Sequence, residues 1–205
     1  MLLNDTSEAL VVMWAWLLAG WTPPIIIDEA DYARIKRIKD PKDPLTAYVG
    51  FGMSFGAKWF GGYRRHIKGV AAPAEETAAL NRSLERKLGL IKDSEVVLSH
   101  GSYADLVVPA GAVIYCDPPY AGRTKGHNFG DFDHDAYWQW VRFKVMAGHP
   151  VLATEFTIPP DFVVLHSWGN TVSGHHNRLD VEKRANTDEV LVCHESQVHL
   201  FKDAK

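Results

Sequence analysis

The chain has 205 residues, 46% of them hydrophobic and 23% charged, with a formal net charge of −3. That length suits one α/β domain with a small insertion, and that composition suits a packed core; disordered, fibrous and low-complexity readings are excluded. Global charge gives no argument for nucleic acid, so any such site has to be a local patch.

Cys116 and Cys193 each close a short apolar run, Val-Ile-Tyr-Cys and Val-Leu-Val-Cys. They read as buried thiols in a reduced compartment, not as a disulfide framework. The strongest apolar stretch, Leu10 to Trp21, is 12 residues long, well short of the roughly 20 that cross a bilayer. Asp5 and Glu8 stand where a secretion signal would carry its basic region. A cytoplasmic protein is expected.

In chain order, Met1-Leu2-Leu3-Asn4 reads as the tail of a strand running into a helix. Asp5-Thr6-Ser7-Glu8 has capping-box spacing, apolar residues follow to Leu18, and Gly20 with Pro23-Pro24 supplies the stop. The charged run from Asp28 to Asp43 reads as a surface helix ended by Pro41 and Pro44. Tyr48 to Arg65 is dense in glycine and aromatic residues and closes on basic ones, unlike an ordinary core segment. Pro73 to Leu90 reads as an amphipathic connecting helix, with Leu80, Leu84 and Leu88 on one stripe. Candidate strands follow at Val96–Leu98, Ala112–Cys116, Val151–Phe156, Phe162–His166 and Glu189–His194, with a helix from about Asp133 to Ala147. Tyr137, Trp138, Val141 and Val145 on that helix share one packing face. Strand, helix, strand argues a parallel α/β sheet in a single domain over 1–205.

The chemistry gathers at Asp117-Pro118-Pro119-Tyr120, which follows the apolar strand Val113-Ile114-Tyr115-Cys116. Ligands of open α/β sheets bind at that carboxyl edge. Two prolines fix φ and remove amide hydrogens, so the Asp117 carboxylate and the Pro118 carbonyl are held as rigid acceptors. A planar amino group has one N–H for each, and the Tyr120 ring can stack on the flat system that bears it. The alternative is an ordinary turn with an Asp-Pro start.

This tetrapeptide, with Ser102-Tyr103-Ala104-Asp105 before it, closely resembles the Dam-type DNA adenine methyltransferases that use S-adenosylmethionine. Leu3-Asn4-Asp5 is similar to that family's acidic loop, Lys58-Trp59-Phe60-Gly61-Gly62-Tyr63 to a segment of its phage-borne members, and Phe132-Asp133-His134-Asp135 through Trp140 to the stretch after the catalytic motif. The resemblance covers Leu3 to about His194 and implies a three-layer, Rossmann-like methyltransferase fold. Residues from about 25 to 90 would form an inserted DNA-recognition region. It further implies N6-methylation of an adenine flipped out of the duplex, Asp117 and the Pro118 carbonyl holding its amine within the motif that Pro119 completes and Tyr120 stacking on the base. Asp5 would bind the cofactor ribose, with Ser102, Tyr103 and Asp105 bordering the cofactor pocket. Lys58, Arg64 and Arg65 would contact DNA phosphates, with Trp59, Phe60 and Tyr63 as wedging or stacking groups.

One departure matters. The family begins with a Lys-bearing segment and a Phe-x-Gly-x-Gly loop on a central strand, and this chain starts after both. An unpaired edge beside the catalytic strand is therefore expected, together with a cofactor pocket that a second chain or copy completes. A truncated start or a degenerate prophage remnant would leave the same gap. Gly50, Gly52 and Gly56 miss the dinucleotide-binding spacing, so they do not replace the loop. The alternatives are a non-catalytic DNA-binding or partner subunit, and methylation of cytosine N4 or of a protein amide nitrogen. Membership of a restriction system is open. No metal is expected, since His194-Glu195 and His199 miss zinc-protease spacing. His175-His176-Asn177-Arg178 reads as a solvated loop.

Overall fold

The structure is a computed structural model that describes residues 1–64, 73–121, 132–168 and 189–201. These form a mixed α/β architecture in two compact units, Met1–Leu106 and the residues from Val107 onward.

The first unit begins with strand β1 (Leu2–Asp5), paired in parallel with β2 (Val97–His100), Leu2 opposite Val97 and Asp5 opposite His100. Helix α1 (Glu8–Leu18) is capped by Ser7, whose hydroxyl accepts from Leu10 N at 3.3 Å. Asp5 is one step removed from the expected capping role: its Oδ1 accepts from Ser7 N at 2.7 Å and so holds the capping residue. The helix ends as predicted, with Gly20 at φ +92° and the Trp21 amide returning to Trp16 O at 2.8 Å.

Helix α2 (Glu29–Ile38) is shorter than the charged run. Asp28 caps it, and Lys39 in the left-handed region stops it before Pro41 is reached. Its polar residues face solvent, while Tyr32 and Ile35 are buried. Helix α3 (Pro44–Ala47) opens on a proline, which has no amide to leave unpaired, and runs into a π-helical turn over Tyr48–Gly52. Helix α4 (Pro73–Ile91) follows.

The core joins Ala9, Met13 and Leu17 of α1 to Tyr32, Ile35, Tyr48, Val49, Met53, Phe60 and Leu84, with Leu80 and Leu88 packed against it. Each fully buried side chain of this kind contributes about 1.5–3 kcal/mol. The glycine and aromatic segment is thus core, a correction to its reading as a non-core stretch. Gly50 and Gly52 explain why: a Cβ on Gly50 would come within 2.6 Å of the Trp59 ring and 2.8 Å of Phe60, and one on Gly52 would overlap Leu80. Absence of side chains there lets the rings close over the backbone.

In the second unit the strands β3 (Ile114–Cys116), β4 (Val151–Glu155), β5 (Phe162–Trp168) and β6 (Glu189–His194) form one sheet in the order β3-β4-β6-β5. β3 and β4 are parallel, but β6 runs antiparallel to both β4 and β5. The sheet is therefore mixed, not parallel throughout. Helix α5 (His134–Met146), capped by Asp133, packs on β4 and buries Tyr137, Trp138 and Val141, with Trp138 against Phe162 at 4.5 Å between ring centroids. Arg142 clamps Asp161 with two hydrogen bonds of 2.6 and 2.8 Å, which fixes the start of β5. The last described element is helix α6 (Val198–Phe201). Among the described residues no helix is long and apolar enough to cross a membrane.

Candidate active site

β3 stops at Cys116 because Pro118 and Pro119 have no amide hydrogen to extend the ladder with β4. Asp117 is left at the carboxyl end of the strand, exposed to solvent. Its Oδ1 accepts from the Tyr120 hydroxyl at 2.8 Å and from Thr154 Oγ1 at 3.1 Å. The Tyr120 ring meets Phe156 edge to face, 4.8 Å between centroids. Burial above all, with hydrogen bonds from its oxygen to Asp117 and Glu189 adding to it against an opposing contribution from Thr154, raises the Tyr120 pKa. The hydroxyl therefore keeps its proton at neutral pH and acts as a donor.

Behind this loop stands Glu155, the last residue of β4 and fully buried at 0% exposure. Its Oε1 accepts from Ala121 N at 3.1 Å and its Oε2 from Phe156 N at 2.7 Å. One carboxylate thus ties the end of the diproline loop to the segment that carries Phe156. His134 Nδ1 lies 3.6 Å from the same Oε1. Cys116 is a poor nucleophile: burial lifts its pKa to about 11, against a lowering hydrogen bond with Tyr137. It and Cys193 are free thiols.

In the first unit, the pairing of β1 with β2 brings Asp5 beside the Ser102–Asp105 turn. Gly101 N donates to Asp5 O at 3.0 Å, Asn4 Nδ2 donates to Gly101 O at 3.0 Å, and Ser102 Oγ caps the turn through Ala104 N at 3.2 Å. Tyr103 is half-buried and Asp105 exposed. Asn4 Oδ1 is buried without a hydrogen-bond partner. Of the two Asp5 carboxylate oxygens, Oδ1 is engaged, by Ser7. A cavity of about 120 Å³ opens here between Leu3, Asn4, Asp5, Leu10, Val11, Trp14 and Leu98. Asn4 and Asp5 are the polar residues of its otherwise apolar lining.

The residues expected to meet DNA divide. Lys58 is exposed. Arg64 pairs with Glu76 Oε2 at 3.0 Å, and Arg65 lies outside the described residues, as does the loop at His175 to Arg178. Trp59 packs on Phe51 and Phe60 at 4.7 and 4.8 Å, and the Tyr63 hydroxyl donates to Ile27 O at 2.8 Å. Phe60 is only 4% exposed. Phe60 is thus held in the core, while Trp59 and Tyr63 are half-buried and pack against it. Sequence reasoning passed over Phe55, which is 63% exposed at the start of a loop closed by the Ser54–Tyr63 bridge. Ala57 and Phe60 in that loop take positive φ. The Phe-Gly pair at 55 and 56 was the signal available, an aromatic next to a turn residue.

It also passed over Thr154, Glu155, Phe156 and Glu189. No local motif marks them; strand register brings them to the loop from Asp117 to Ala121. Among the described residues no group of three or more His, Cys, Asp or Glu side chains is placed to hold a metal ion. No protein-family model and no curated protein matches this sequence.

Proposed function

We propose that this chain is a DNA adenine N6-methyltransferase of the S-adenosylmethionine-dependent, Rossmann-like kind, acting on duplex DNA in the cytoplasm. One observation carries the reading: a carboxylate held at the end of a parallel strand by a diproline, hydrogen-bonded to the tyrosine beside it and flanked by an aromatic ring. S-adenosylmethionine, when bound, supplies an electrophilic methyl group. Asp117 and the Pro118 carbonyl accept the two N–H bonds of the exocyclic amine, which orients its lone pair for in-line attack. The flipped base stacks on Tyr120. Asp5, with the Ser102–Asp105 turn, holds the ribose end of the cofactor. Lys58 and Arg64 contact phosphate, the latter after leaving Glu76, and Phe55 is the exposed ring available to enter the stack.

A second chain or copy completing the cofactor pocket belongs to the same reading. The observation favouring it is that, among the described residues, β3, the strand leading into Asp117, stands at the end of its sheet and β1 pairs only with β2.

The test is transfer of labelled methyl from S-adenosylmethionine to unmethylated duplex DNA, with product nucleosides resolved by mass spectrometry. N6-methyladenine is the expected product. N4-methylcytosine would move the reading to a cytosine amine. No transfer by a chain shown to be folded would overturn catalysis by this chain alone and leave a DNA-binding or partner subunit.

A further inference from the structure

The Tyr120 hydroxyl has one proton and two carboxylates within reach of it. Its oxygen lies 2.8 Å from Asp117 Oδ1 and 3.0 Å from Glu189 Oε1. Glu189 is the first residue of β6, where its backbone is paired with Trp168 of β5 while the adjacent Val190 is paired with Glu155 of β4. It is 69 positions from Tyr120 in the sequence, yet the sheet brings its half-buried carboxylate to the hydroxyl. Thr154 donates to the same Asp117 oxygen at 3.1 Å. The one Thr154 proton has Cys116 O at 3.4 Å as another acceptor; when both it and Tyr120 donate to Asp117 Oδ1, both lone pairs of that oxygen are taken.

We propose that Glu189 is a positioning residue for the amine site: it receives the Tyr120 hydroxyl when a substrate amine claims Asp117 Oδ1, so that Asp117 is released while the Tyr120 ring stays in place. The inference rests on the amine-methylation reading above and adds a residue to it. A half-buried hydroxyl displaced from its acceptor costs more than a new hydrogen bond returns. With Glu189 at nearly the same distance as Asp117, rotation of the O–H alone exchanges one acceptor for the other. Phe156 holds the ring edge meanwhile, so the stacking surface does not move.

The test compares methyl transfer to duplex DNA by the full chain and by four variants: Glu189→Ala, Glu189→Gln, Tyr120→Phe, and Tyr120→Phe with Glu189→Ala. Glu189→Ala is expected to lower kcat about tenfold, the scale of one hydrogen bond, with KM for S-adenosylmethionine unchanged. Glu189→Gln recovers most of that loss, because its amide oxygen still accepts from Tyr120. In the Tyr120→Phe background Glu189→Ala adds no further loss, since no hydroxyl remains to be held. Wild-type kcat in Glu189→Ala, or an equal loss in both backgrounds, overturns the inference. Glu189→Thr, which suits a strand and is too short to reach Tyr120, takes the place of Glu189→Ala if melting shows the latter unfolded. Absence of transfer by folded wild-type chain overturns catalysis by this chain alone, and the role of Glu189 in it; transfer by wild type with a silent Glu189→Ala overturns the inference alone.

Discussion

Two segments stand out in this sequence for the same reason, a crowd of glycines or prolines next to aromatic rings, and the structure uses them in opposite ways. Between Tyr48 and Arg64 the glycines remove side chains so that Trp59, Phe60 and Leu80 can press against the backbone, and the segment becomes the centre of a core. Between Asp117 and Tyr120 the prolines remove amide donors, and the segment becomes a rim of rigid acceptors, half-buried but for the exposed Asp117. An unusual backbone is common to both. What separates them is the group that is missing: absent side-chain bulk invites neighbours in, whereas absent hydrogen-bond donors end a sheet and leave groups uncovered.

The contrast can be broken most sharply at Asp117. Asp117→Ala removes the acceptor that defines the rim, and transfer is expected to fall on the order of 10³-fold or more, while the melting temperature stays close to wild type. Retained transfer would sink the mechanism. Next come the two rings of the first segment. Trp59→Ala should cost about 2–3 kcal/mol of stability in a denaturant titration, since half-buried core rings lose packing, whereas Phe55→Ala should stay within about 0.5 kcal/mol and instead weaken DNA binding. An equal loss of stability in both variants would erase the distinction between core and loop rings. Gly50→Ala is expected to destabilise by about 1–3 kcal/mol through overpacking against Trp59 and Phe60; a stability gain would mean that the rings do not lie on that backbone.

The smallest effect is expected in the second unit at Asp161. Its carboxyl is held below the usual range chiefly by the hydrogen bond from Arg142. A lowered folded-state pKa contributes stability that is present above the unfolded value, about 4, and is lost as pH falls through the folded value. Melting curves taken at decreasing pH should therefore decline on the acid side, and Asp161→Asn should flatten part of that decline. Because the pair is partly exposed, solvent screens it and the change is small.

Much of the architecture is legible locally. The apolar spacing of α1, α4 and α5, with the caps of α1 and α5, fixes their extent to within a residue or two. The position of Asp117 after a short apolar strand is legible in the same way. The direction of β6 is not, because antiparallel pairing with β4 and β5 depends on partners far away in the chain. Thr154, Glu155 and Glu189 are invisible as site residues on the same ground: each is an ordinary strand residue until register sets it against the loop. For Trp59 and Tyr63 the sequence shows rings near positive charge, but only the close approach of Gly50 to Trp59 and the bond from Tyr63 to Ile27 show that these rings also pack against the core.

β3 also has a bearing on solubility. It is three residues long and stands at the end of its sheet among the described residues, with Tyr115 61% exposed and Val113 just before it 64% exposed. Such a border is the kind of template on which copies of a chain stack into aggregates, and very short length is one natural safeguard. Pro118 and Pro119 set that length, because neither can donate to an incoming strand. The same two residues that shape the acceptor rim thus also guard the chain against self-pairing, so a substitution that restores an amide at Pro119 carries a risk to the shelf life of the protein that no assay of the rim would reveal.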